Sequence, residues 1–322
     1  MASVYRSFKN LLKRSSYVRF WLLRWDWEQK KRAMARLSDE AFAGQYYLAH
    51  TGSELHLNPP ITFDDKLWYL KLYNRDPLLT VCSDKYRVRE YVEQCGLGHI
   101  LNELYSVYQD AREIDFAALP SPCFLKCNHT SGTNIIFDRT RPFNRRDFIR
   151  RFNFMLRQNY YWASREWNYK DIPTRIIAER VLRDKNGQLP LDYKFMCFGG
   201  VPKIMYLSAN TCNEQGMHGA DQRLNYYDMN FHPLPITGAG LKNIDGEMEK
   251  PASFEQMKQY AAILSKPFPF CRVDFYDIDG QVYFGEITFY PTGGCQNLQP
   301  PEWSRRLGEW IDVSGIGPSR GE

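Results

Sequence analysis

Apolar residues fall at two different spacings along the chain, and the change comes near residue 121. Before it the spacing is helical. Thr62-Phe63-Asp64-Asp65 has the form of a capping box and predicts a helix to about Tyr73. Ser83 is placed to cap a second helix, with Val88, Tyr91, Val92 and Cys95 on one face and Gly96 ending it. After Ser121 short strands dominate. CFLKC (123–127) and NIIFD (134–138) read as strands around the loop NHTSGT. Asn144 opens a basic helix to about Arg157. TRIIAERVL (174–182), DYKFMCF (192–198) and PKIMYLS (202–208) follow as strands. Residues 209–225 are polar and poorly periodic, which predicts a mobile loop. Ser253-Phe254-Glu255-Gln256 is a second capping box, for a helix to about Leu264, and a hairpin, a loop at 290–301 and a short last helix complete the chain. Helices between mostly antiparallel strands predict an α+β fold.

The hairpin CRVDFYDIDGQVYFGEITFYPTGG (271–294) carries charge where strands are usually apolar. Its Ile278-Asp279-Gly280 turn predicts a three-residue loop, pairing 276 with 282, 274 with 284 and 272 with 286. With a side-chain period of two, Arg272, Asp274, Tyr276, Phe284, Glu286 and Thr288 would share one face. Val273, Phe275, Tyr283, Ile287 and Phe289 would share the other, as core.

Length and composition allow one large or two ordinary domains with a substantial core, at 43% hydrophobic residues over 322 positions. The net charge of +5 is uneven. Ten of the 42 Lys and Arg residues lie in 1–37, against two of the 37 Asp and Glu, so 32 basic and 35 acidic residues remain for the body. A near-neutral body argues against nucleic-acid binding. The basic N-terminal segment mixes its cations with Phe8, Leu11, Leu12, Val18, Trp21, Leu22 and Trp25, the composition of an interfacial helix on anionic lipid or of a helix packed on a partner or on the body. The eight cysteines include no C-x-x-C and several lie in apolar strands, so buried reduced thiols in a cytoplasmic protein are expected. No apolar run reaches the roughly 18 residues that span a bilayer, and no signal peptide is evident.

Several side chains could carry chemistry. Asp274 and Glu286, on one sheet face, would repel unless a cation lay between them. That cation is either Mg²⁺, which binds one or two carboxylates plus phosphates, or a salt-bridge partner such as Arg272. Lys126 in an apolar strand needs a phosphate, a carboxylate partner or an edge position. The loop after it offers small residues and backbone N–H groups suited to phosphates, without being a P-loop. Glu179 in IIAERVL, and Asp192 with Lys194 in a D-x-K, are charges in apolar strands; Asp84, Lys85 and Arg87 open a helix. His129 has no Ser or Cys at a recognisable nucleophile spacing, so no triad is supported.

Taken in order, these pieces resemble the ATP-grasp superfamily, specifically its TupA-like branch linked to teichuronopeptide and other surface polysaccharides. The similarity runs from about Ile61 to Gln299 and is strongest in FLKCNHTSGTNII, RIIAERVL, DYKFMCFGG and RVDFYDIDGQVYFGEITFYPTGG. The resemblance implies two α+β subdomains clasping ATP: a basic segment at 1–40, a helical region at 41–120, subdomains at 121–182 and 183–312, and a tail at 313–322. It implies that Lys85, Lys126, His129, Ser131, Gly132, Glu179, Asp192 and Lys194 bind the nucleotide. Asp274 and Glu286 would hold Mg²⁺, with Thr288 in the position where the family usually has Asn. Arg272, with Lys194, would stabilise the transferred phosphoryl group. Loops 128–133 and 209–225 would close to exclude water. The implied activity is a carboxylate–amine ligase that joins an amino acid or other amine to a uronic-acid carboxylate of a glycan through an acyl phosphate. Arg165, Lys170 and Arg223 are candidate contacts to the acidic sugar. An ATP-grasp kinase, a glycosyltransferase and a degenerate nucleotide-binding module remain open as alternatives. The expected location is cytoplasmic, with residues 1–37 docking at the inner membrane face or on membrane-bound assembly machinery.

Overall fold

The computed structural model describes residues 16–132, 134–238 and 240–318. The expectations for residues 1–15, for Thr133 and for the last four residues lie outside this set. Helix α1 (Ser16–Met34) leads to α2 (Asp39–Thr51), α3 (Phe63–Tyr73), α4 (Pro77–Ser83) and α5 (Val88–Gln94). The Thr62 capping box forms as expected: the Thr62 hydroxyl accepts from Asp65 N–H, and the Asp65 carboxylate accepts from Thr62 N–H at 2.9 Å. The cap expected at Ser83 does not form. Ser83 ends α4 and donates to the Leu79 carbonyl at 2.8 Å, while Asp84 accepts from the Tyr86 and Arg87 amides instead.

Two antiparallel sheets follow. The first runs in the order β1 (Leu104–Tyr108), β4 (Ile176–Arg180), β2 (Cys123–Cys127), β3 (Asn134–Phe137), with α6 (Arg145–Met155) packed on it and α7 (Tyr160–Ser164) after it. The stretch 41–120 is therefore not wholly helical: Leu104-Tyr-Ser-Val-Tyr pairs with β4 because aromatic and β-branched residues suit an extended strand. The second sheet runs β10 (Gln281–Thr288), β9 (Phe270–Ile278), β5 (Asp192–Phe198), β6 (Val201–Ala209), β7 (Arg223–Asp228), β8 (Pro233–Leu234). Its apolar face meets α3, α5 and α8 (Phe254–Ser265) in the largest core, and α9 (Pro301–Glu309) packs beside α3. The Ser253 hydroxyl makes no cap bond to α8; it donates to Asp277 instead. All eight cysteines are free thiols, six of them buried.

Residues 209–225 are not one loop. Ala209 ends β6 and Arg223 begins β7, and the segment between them is pinned to the first sheet where Ile136 N–H donates to the Gln215 carbonyl at 2.9 Å.

The hairpin departs from the expected register twice. Asp279 (φ 52°) and Gly280 (φ 90°) are both left-handed, so the loop has two residues and Ile278 pairs with Gln281. A bulge at Gly285 then shifts the register again and sets Glu286 opposite Asp274 and Thr288 opposite Arg272. Tyr283 and Phe284 exchange faces as a result. Phe284 is buried with Phe275, and the Tyr283 hydroxyl accepts from Arg180 at 2.9 Å. A Cβ at Gly285 would lie 3.0 Å from the Asp274 carbonyl oxygen and 3.3 Å from the Tyr276 ring. Gly285→Val should therefore lower the unfolding free energy by about 1–3 kcal/mol, read from the shift in urea midpoint.

Candidate functional site

The polar face of the second sheet is a row of side chains set by cross-strand pairing. Tyr226, Tyr206, Lys194, Asp274 and Glu286 are successive partners on β7, β6, β5, β9 and β10. Neighbours in such a row stand about 5 Å apart, close enough for direct bonds. Lys194 Nζ donates to Asp274 Oδ2 at 2.6 Å and lies 3.6 Å from Asp192. Arg272 reaches across: its Nε and Nη2 donate to the two Asp274 oxygens at 2.6 and 2.7 Å. Nη2 also donates to Glu286 Oε1 and to Thr288 Oγ1, each at 3.0 Å, and Nη1 donates to the Tyr206 hydroxyl at 2.8 Å. The cation between the two carboxylates is thus Arg272.

The first sheet supplies the opposite wall. Lys126 on β2 lies 2.7 Å from Glu179 on β4, and Arg89 approaches the same carboxylate at 3.9 Å. Asn128 anchors the loop after β2 by donating to Asp84 at 2.8 Å and accepting from Arg175 N–H at 2.6 Å. Lys85 joins loop to hairpin, donating to the Thr130 carbonyl at 3.1 Å and standing 3.5 Å from Glu286. Gly132 (φ 75°) faces His218 so closely that a Cβ would run into the imidazole, so the loops after β2 and after β6 meet over the site.

Between these walls lie two joined chambers. One, of about 520 Å³, takes Lys85, Lys126, Lys194 and Arg272 together with Asp192, Asp274 and Glu286. The other, of about 440 Å³, is lined by Phe124, Val181, Leu182, Leu189 and Leu191 together with Lys126, Glu179, Arg180 and Glu214. Phe124, Lys126, Thr211, Cys212 and Tyr276 border both.

Burial alone would disfavour the Glu286 carboxylate, but Lys85, Arg272 and Lys194 outweigh it and bring the group down to about 2. Burial likewise opposes the charge on Lys194, and Asp192 and Asp274 overcome it and hold the ammonium above its ordinary range. Burial opposes Arg272 too, and Asp274 first, then Tyr206 and Glu286, keep it firmly charged.

The arrangement fits a nucleoside triphosphate. The apolar chamber suits a base, and the four cations suit phosphates. The Thr130 hydroxyl, buried in the loop wall, has no hydrogen-bond partner among the described residues and can donate to a phosphate oxygen. Among the described residues no three acidic, His or Cys side chains gather as a metal cage. Asp274 and Glu286 are the carboxylates that would hold a Mg²⁺ ion completed by phosphate oxygens, with the Arg272 and Lys194 bonds that now occupy both Asp274 oxygens giving way to it.

Lys85, Lys126, Ser131, Gly132, Glu179, Asp192, Lys194, Arg272, Asp274 and Glu286 all line one chamber or the other. Five expected positions do not. His129 is buried beneath its loop against the Met155 carbonyl at 3.1 Å, and burial pushes its imidazole down to about 4, so it is a neutral structural group. The Thr288 hydroxyl accepts from Arg272 and donates to Glu286 at 3.1 Å, which orients that pair and leaves the chamber to others. Arg165 is buried, 2.9 Å from Asp39 and donating to the Met34 and Leu37 carbonyls, and so ties α7 to the N-terminal helices. Lys170 lies over the Tyr161 ring at 5.3 Å, and Arg223 turns away to Asp221 and Asp245. Tyr206, Thr292 and Gln296 line the charged chamber without having been singled out in the sequence, and Thr130 does so as part of the loop expected at 128–133. Tyr206 had a signal in its place in the alternation of PKIMYLS.

A family model described as TupA-like ATPgrasp matches residues 65–312. Among solved structures, the D-alanine–D-alanine ligase of Bacillus anthracis is similar at 15% identity, over 72% of this chain and 66% of that one, with a TM-score of 0.42. An L-amino acid ligase from Bacillus licheniformis is similar at 12% identity, over 64% of this chain and 42% of that one, with a TM-score of 0.39. No curated protein matches.

Two outcomes follow from the charge row. Asp274→Asn leaves Arg272 and Lys194 short of their shared counter-ion, so it should cost about 3–5 kcal/mol in urea unfolding. Glu286 sits below its unfolded value of about 4.3, so its contribution is present above that pH and lost as pH falls toward 2. The stability lost on acidification over that window should be smaller in Glu286→Gln than in the wild type.

Proposed function

Because this chain belongs to the TupA-like ATP-grasp family, with the ATP-grasp fold over residues 65–312, we propose that it is an ATP-dependent carboxylate–amine ligase acting on a uronic-acid carboxylate of a surface glycan. The observation that carries the reading is the polar row Lys194–Asp274–Glu286, bridged by Arg272 and set beside an apolar chamber of base size. When bound, ATP with Mg²⁺ supplies the phosphoryl group that turns a carboxylate into an acyl phosphate, which an amine then converts to an amide.

The protein's own residues do the rest. Phe124, Leu182 and Leu191 hold the base, and Lys126, steadied by Glu179, meets the phosphates. Lys85, the Thr130 hydroxyl and the backbone of Ser131 and Gly132 cover them from above. Asp274 and Glu286 are the carboxylates that would hold the metal. Arg272 and Lys194 are already ordered where negative charge grows during transfer, so they need not reorganise as it develops. The contact of Gly132 with His218 keeps water from the reacting groups. No nucleophile of the protein is required.

Helix α1 supports a station at a membrane. It is held to the body by Arg19 on Asp147 at 2.8 Å and by Phe20 against Phe154, while Trp21 and Trp25, one turn apart on the same side, stay exposed beside Arg24. No helix among the described residues is long and apolar enough to cross a membrane. We propose that this face rests on anionic lipid, where each basic residue contributes on the order of 1 kcal/mol. Full-length protein should sediment with phosphatidylserine vesicles at low salt and be released by high salt, and Trp21→Ala/Trp25→Ala should bind less; salt-independent or unchanged binding would refute the docking.

With ATP, Mg²⁺ and a uronic acid but no amine, added hydroxylamine should trap the acyl phosphate as a hydroxamate, with ADP and phosphate released in equal amounts. A stable phosphorylated glycan would identify a kinase, and nucleotide-sugar turnover with idle ATP a glycosyltransferase. Arg272→Lys keeps the charge but loses the fork that grips two carboxylates, so it should slow hydroxamate formation by about 100-fold while changing ATP affinity far less.

A further inference from the structure

One wall away from the charged chamber is a smaller cavity of about 370 Å³, lined by Trp27, Tyr46, Tyr160, Ser164, Glu166 and Gly293 among others. Two features show how close the cavities are. The Tyr160 hydroxyl donates to the carbonyl of Ser131, and Ser131 itself lines the charged chamber, the bond being 3.3 Å. Gly293 follows Thr292, which lines the charged chamber from the hairpin side. Glu166 is also within electrostatic reach of Lys85 and Glu286.

The chemistry of the lining is one-sided. Three aromatic rings and one carboxylate face the cavity, and among the described lining residues Glu166 is the sole charged group. It is 8% exposed, and one of its oxygens accepts from the Ser164 hydroxyl at 2.7 Å. Lys71 is the cation that acts on it most strongly, but that ammonium is fully buried behind the wall. It donates to the Gly293 carbonyl at 2.6 Å and stands 3.3 Å from the centre of the Trp68 ring. A buried carboxylate among ring faces suits a cation, which gains both a counter-ion and π attraction once out of water.

We propose that this cavity seats an ammonium group that the amine substrate carries apart from its reacting nitrogen, with Glu166 as its counter-ion and Trp27, Tyr46 and Tyr160 as its walls. The assignment to a substrate rests on the ligase reading above; the binding of an ammonium group does not. It explains why α1, α2 and α7 converge on the far side of the phosphate loop, since each supplies one of these rings.

Saturation-transfer NMR and calorimetry on the full chain, without ATP, test it with n-butylammonium and n-butanol as probes. The ammonium should bind at least about tenfold more tightly than the alcohol. Glu166→Gln should weaken ammonium binding by about tenfold or more and leave ADP affinity within about twofold. Trp27→Leu, at a half-buried helix position where folding is not at stake, should weaken it by about threefold. Equal affinity for amine and alcohol, no ammonium binding to the wild type, or full affinity in both variants would overturn the site. The expected binding pattern in a protein that makes no ATP-dependent product would sink the ligase reading and keep the ammonium site. Loss of the pattern in a protein that does make product would overturn the site alone.

Discussion

Arg272 bonds Asp274 twice and Glu286, Thr288 and Tyr206 once each, and the charged floor of the second sheet depends on that clamp. Two carboxylates and a lysine under a protein roof would otherwise cost several kcal/mol in lost hydration. The fork of the guanidinium answers both oxygens of Asp274 and still has a hand for Glu286, which an ammonium could not do. The price of such an arrangement is sensitivity, since Arg272, Asp274 and Tyr206 are buried and depend on one another. Its use is readiness, because charges are already fixed where a polyphosphate would lie.

The clamp is held from behind by apolar packing. Val273, Phe275 and Ile287 alternate with the charged residues and enter the main core against α8 and α4. The bulge at Gly285 reconciles the two demands. It allows Phe284 to face the core and, two residues later, Glu286 to face Asp274. The first sheet then closes over this floor through Lys85, which touches both the phosphate loop and Glu286.

The N-terminal helices do more than cover the core. Asp64 on α3 accepts from the Gln296 and Asn297 amides, each at 3.0 Å, and Lys71, two turns further along the same face, holds the Gly293 carbonyl. The loop after the hairpin is therefore shaped by residues more than two hundred positions away. That loop forms part of both the charged chamber and the aromatic cavity.

Much of this was legible in the residue pattern. The antiparallel α+β fold, the strands 123–127, 134–137 and 192–198 and the Thr62 cap follow from local periodicity and capping chemistry, which need only near neighbours, whereas Arg272, Asp274 and Glu286 share one face only because the bulge at Gly285 offsets the two-residue turn. The residues whose roles were misjudged had the right chemistry in the wrong place. His129 and Arg165 are polar and lie near loops, but nothing local tells that Met155 or Asp39 will bury them. Likewise a glycine in a strand signals a bulge without saying which side chains it will turn over, because that depends on which face the other strands and α8 compete to bury. Register, the pairing of Lys126 with Glu179, and the meeting of Trp27, Tyr46 and Glu166 at one cavity join segments far apart in the chain. Their geometry exists only after the sheets and helices pack, since each bond's energy depends on burial that no single segment can provide.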